Sequence, residues 1–145
     1  MTQKDKELLL KDLCARLLYG VKVYNTTFKE PTIQTLYGKM SSDVFLMEET
    51  YTSVGVDGDD FGSFNKRHYT GCIDFIKPYL RPMSSMTEKE KLDYTSIDNR
   101  AYCCPQNFAH IPATDRIDWL NTHHFDYRGL IEKGLALEAP EGMYN

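Results

Sequence analysis

The chain has 145 residues, of which 41% are hydrophobic, 26% charged and 12% aromatic; this excludes the disordered, collagenous and membrane classes and fits one compact domain, 1–145. Seventeen Lys and Arg against 21 Asp and Glu give a net charge of −4, the wrong sign for a dedicated binder of nucleic-acid backbone. No stretch approaches the roughly 20 apolar residues that span a bilayer, and Lys4-Asp5-Lys6-Glu7 puts acids where a secretory signal has only bases, so a cytoplasmic location is expected.

Residues 3–19 predict an amphipathic helix. Leu9, Leu13 and Leu17 form one i, i+4 row and Leu10, Cys14 and Leu18 the row beside it, with Lys6, Glu7, Lys11, Asp12 and Arg16 opposite. Thr2 and Asp5 have capping-box spacing, and Gly20 stands where a left-handed cap would end the helix. Five short strands follow, at 21–24, 32–37, 44–47, 50–56 and 71–77, separated by Asn, Gly, Ser and Asp clusters. They fit a small bent antiparallel sheet or an SH3-like barrel over 21–77. Between the last two, Asp57 to His68 is too polar and Gly-rich for a core element and predicts an exposed loop or wide hairpin.

Pro78 and Pro82 are expected to end the strands, because proline lacks the donor a central strand needs. The C-terminal helical segment, 83–137, opens with a capping box at Thr87-Glu88-Lys89-Glu90, predicting a helix to about Tyr94. Residues 96–113 read as a long connection. A helix over Asp115 to Asn121 is expected, capped by Thr114 and closed by His123 and His124; Asp126 then caps a turn stopped by Gly134, and 138–145 look frayed.

Asp57-x-Asp59-x-Phe61-Gly62 begins like a calcium loop, but Phe61 and His68 occupy the fifth and twelfth ligand positions, so an acidic turn is expected. His123, His124 and Asp126, with Cys103, Cys104 and His110 upstream, hold the metal-capable side chains. Adjacent helical residues point about 100° apart, and no Cys-x-x-Cys or His-Glu-x-x-His spacing is present, so neither metal nor cofactor is expected. The favoured arrangement packs one histidine beside Trp119 and Phe125 and leaves the other solvated. No nucleophile elbow, Ser-x-x-Lys or glycine-rich phosphate cradle occurs. The four cysteines read as reduced thiols, Cys14 and Cys72 as core residues.

Lys66-Arg67-His68-Tyr69 interleaves cations and aromatics in the manner of a contact surface, with nearby aspartates weighing against nucleic acid. His124, Asp126, Tyr127 and Arg128 form a second polar edge, with Tyr127 and Arg128 as anchors for a partner; alternatively Asp126 caps the following turn and pairs with Arg128, which would make the string structural.

Three segments carry a resemblance: Leu10 to Val23, Ile76 to Thr87, and Ile117 to Leu137. They resemble a family of short proteins recurrent in gut Bacteroidales genomes and their prophages. The resemblance covers both ends and the middle, implies a mobile-element setting, and carries over no catalytic residue, since the family has no assigned activity.

The expected fold is α+β: an N-terminal helix over 1–20, the β subdomain and the helical segment. The expected function is a non-enzymatic binding or accessory module for a protein partner, contacting it through Tyr127, Arg128, His124, Asp126, Lys66 and Arg67. The alternatives are a small metal-dependent or thiol hydrolase using His123, His124 and Asp126, and a phage inhibitor of a host enzyme.

Overall fold

The computed structural model describes residues 1–29, 32–52, 64–101 and 111–144 and divides into two compact units, Met1–Pro78 and Tyr79–Asn145. Asp57 to Ser63, Cys103, Cys104 and His110 lie outside the described residues, as does any calcium-loop or thiol arrangement built on them.

In the first unit, α1 (Gln3–Ala15) starts at the expected capping box: the Asp5 N–H donates to Thr2 Oγ1 at 3.2 Å and the Thr2 N–H donates to Asp5 Oδ2 at 3.1 Å. The helix ends at Ala15 rather than residue 19, and Gly20 takes φ +65° in the turn that follows. Its buried face is also rotated from the leucine rows. Leu9, Asp12, Leu13 and Arg16 are buried, whereas Leu18 is 93% exposed and Cys14 only half-buried. Spacings of i, i+3, i+4 and i+7 make those four residues one continuous stripe. Asp12 and Arg16 remain there because they satisfy each other: Arg16 Nε donates to Oδ2 at 2.7 Å and Nη2 to Oδ1 at 3.2 Å.

The strands of this unit are β1 (Lys22–Asn25), β2 (Thr32–Lys39), β3 (Val44–Thr52), β4 (Phe64–Cys72) and the first three residues of β5 (Ile76–Leu80), whose last two belong to the second unit. The expected strand at 44–47 and the described part of the one expected at 50–56, as far as Thr52, are one strand, because Glu48 and Glu49 find cross-strand partners instead of breaking it: Lys66 Nζ meets Glu48 Oε1 at 2.9 Å and Tyr69 Oη donates to Glu49 Oε2 at 3.0 Å. For the same reason the polar end of the supposed loop, from Phe64 to His68, is strand, and β3 and β4 form the wide hairpin. A 3-10 turn at Ile73–Phe75 splits the expected strand at 71–77. Cys72 is half-buried rather than core.

Pro78 sits within β5 rather than ending it. The Thr26 N–H donates to Phe75 O at 2.8 Å, which sets the alternation of the β1–β5 ladder and leaves Val23↔Pro78 a non-hydrogen-bonded pair. The position facing β1 therefore needs no donor from proline. Gly71 is required by packing: a Cβ there would lie 2.6 Å from Met47 Cε and 2.8 Å from Ile76 Cγ2. The apolar residues buried in this unit include Leu9, Leu13, Val21, Val23, Leu36, Phe45, Met47, Ile73 and Ile76.

In the second unit, α2 (Glu88–Ala101) opens on the expected capping box, with the Glu90 N–H donating to Thr87 Oγ1 at 3.2 Å and the Thr87 N–H to Glu90 Oε2 at 2.8 Å. It runs seven residues past Tyr94, and α3 (Ile111–Thr122) begins before Thr114, which is thus a helical residue and not the cap. The two helices meet at aromatic surface: Tyr94 and Trp119 rings lie 5.4 Å apart, against a core of Met86, Leu120 and Phe125. The C-terminal residues are held rather than frayed. There β6 (Leu137–Glu138) pairs in parallel with the Tyr79–Leu80 end of β5, and Tyr144 Oη donates to Tyr79 O at 2.7 Å.

The fold is α+β, with a mixed sheet hydrogen-bonded in the order β4-β3-β2-β1-β5-β6. The sheet is open, not an SH3-like barrel: β3 and β4 run nine residues in unbroken register, and the one register shift among the described pairings, at Leu36/Gly38, is too little bending to close it. No helix among the described residues is long and apolar enough to cross a membrane.

Arg81, beside the start of α2, donates to both carboxylate oxygens of Glu90 at 2.7 and 3.0 Å. That bidentate bond, aided by the Thr87 donors, holds the Glu90 carboxyl at about 2, below its usual 4.5. A carboxyl lowered by folding stabilises the fold above its unfolded pKa and loses that contribution as pH falls through the folded value. Between pH 4.5 and 2 the wild-type melting temperature should therefore fall more than that of Glu90→Gln. Parallel melting curves for the two proteins would show the pair to be inert.

Candidate functional site

The six expected contact residues fall in different units: Lys66 and Arg67 on β4, and His124, Asp126, Tyr127 and Arg128 after α3.

The second group begins in the C-terminal cap of α3. The Phe125 N–H donates to Leu120 O at 2.9 Å and the His124 N–H to Asn121 O at 3.1 Å, with His124 at φ +59°; this is the Schellman arrangement, usually completed by glycine. Histidine tolerates the left-handed position here while its ring stacks on Tyr144 with centroids 3.7 Å apart. His124 is buried, not solvated, and His123 is half-buried, stacked on Trp119 at 4.0 Å with Nδ1 2.8 Å from the Trp119 carbonyl. A carbonyl only accepts, so Nδ1 carries the proton.

Asp126 is also buried. Its carboxylate accepts the Leu130 N–H at 2.9 Å and the Ile131 N–H at 2.8 Å, the capping role expected of it. Tyr127 Oη donates to the buried Asn121 Oδ1 at 3.1 Å, and Arg128 Nη2 donates to Tyr127 Oη at 3.1 Å with its guanidinium 4.8 Å from that ring. Truncating Asp126 to alanine leaves two backbone donors without their acceptor and should cost about 1–3 kcal/mol. Chemical denaturation measures it; an unchanged midpoint would free Asp126 for a contact role.

Two clefts lie in this unit, of about 410 and 430 Å3. The first includes Arg81, Glu138, Glu141 and Tyr144, but the Arg81 charge is held by Glu90 and by the Phe125 ring 4.3 Å away. The Ser85 hydroxyl in its wall donates to the Pro82 carbonyl at 2.8 Å, a structural bond and not an activated nucleophile. The second lies along Asp93, Asp115, Asp118 and Trp119. Among the described residues, no group of three or more His, Cys, Asp and Glu is placed to hold a metal ion.

The first unit exposes apolar residues on one face of its sheet. Alternation along β1 and β2 buries Val23, Asn25, Gln34 and Leu36 and turns Tyr24, Ile33 and Thr35 to the opposite face. Register continues that face through Leu46 and Glu48 of β3 to Lys66, His68 and Thr70 of β4, and through Lys77 of β5. Tyr37 is the extra residue of the bulge and meets His68 edge-on at 5.6 Å. Ile33 is 47% and Tyr37 40% exposed. Three lysines and one glutamate border these apolar groups, with Lys66 bonded to Glu48 and Lys22 Nζ to Thr35 Oγ1 at 2.7 Å. Lys66 thus belongs to this face, while Arg67, opposite Glu49, is exposed on the other.

Ile33 and Tyr37 were not among the candidates drawn from sequence, although the period of two across Thr32 to Lys39 was there to read. What could not be read is which face leaves Ile33 and Tyr37 exposed. Arg81, Glu90 and Tyr144 were missed because their partners are 9 to 65 residues distant in the chain. No protein-family model, curated protein or solved structure matches the chain.

Proposed function

We propose that this chain is a non-enzymatic binding or accessory module that docks a protein partner on the outer face of the first unit's sheet. The observation that carries this reading is the exposure of Ile33 and Tyr37 beside Tyr24 and Leu46 on one face of the sheet. Sheet faces are ordinarily either covered or polar, and apolar exposure gathered in one patch marks contact surfaces. Aromatic residues bordered by lysine are the composition of an interface centre and rim. The resemblance to proteins of gut Bacteroidales prophages supports a mobile-element setting, and a host enzyme as the captured partner would make the module an inhibitor.

The test compares the wild-type chain with Ile33→Ser/Tyr37→Ser as baits in the native host, with thermal melts as control. Loss of a partner from the double variant at an unchanged melting temperature is expected. Retention of every captured protein would overturn the assignment of this face.

A further inference from the structure

We draw no further inference here: the strongest candidate, the outer edge of β4, where the backbone groups of Lys66, His68 and Thr70 turn away from β3 and meet no backbone partner among the described residues, carries nothing because nothing in the structure shows what would cover it.

Discussion

Asp12→Ala should lower the free energy of unfolding by about 3–5 kcal/mol, a large share of the roughly 5–15 kcal/mol that holds a domain of this size together. Both partners of the Asp12–Arg16 pair are withdrawn from water, with neither side chain exposed, so removing the carboxylate takes from a buried guanidinium the acceptor of two of its hydrogen bonds. The pair itself is a different quantity. Its Coulombic gain is spent largely on desolvating two ions, and replacement of both by apolar residues of similar size is often neutral or stabilising. Asp12→Leu/Arg16→Met should therefore unfold at a urea concentration close to that of the wild type, far above the single variant. A single variant within about 1 kcal/mol of wild type would mean that water reaches Arg16 once Asp12 is gone.

Leu13→Asp should yield no soluble folded protein. Leu13 is fully buried, between Leu9 and Arg16 on the inward stripe of α1, and a carboxylate there would have no counter-ion of its own. Its burial costs several kcal/mol in addition to the lost apolar contact. Leu18→Asp is the matched control, since Leu18 is almost wholly exposed and its replacement removes no core contact. Expression in the soluble fraction and a far-ultraviolet spectrum read both. A Leu13→Asp protein that melts like wild type would show that α1 does not belong to the core of its unit.

The contrast between Leu13 and Leu18 marks the point where reading from sequence stopped. Capping boxes at Thr2 and Thr87 were legible because all their atoms lie within four residues, and Asp126 was legible as a cap because its two donors follow within five positions. The direction of the α1 face was not. Charge at Asp12 and Arg16 argues for solvent, and only the finished packing shows the two groups answering each other within the stripe. Pro78 misled in the same way: proline ends a strand unless register turns its missing donor away from the neighbour, and register is a property of two strands.

For the contact surfaces, residue types were readable and placement was not. Lys66 and Arg67 were chosen for their company of aromatics, yet they became an edge only because β4, among the described residues, pairs on one side. The string from His124 to Arg128 looked like a binding edge by composition, and its hydrogen bonds run inward, to Asn121 and to the turn at Leu130 and Ile131.

Local chemistry, acting over three or four residues, determined from the sequence alone that the chain would be α+β, where α1 and α2 begin, and that strands follow α1 between residues 21 and 77. The tertiary structure decided which face of α1 is buried, that the sheet stays open, and that Ile33, Tyr37 and the backbone of β4 face outward. Those outcomes depend on pairing between distant segments, whose strength is set by register and burial that no single segment contains.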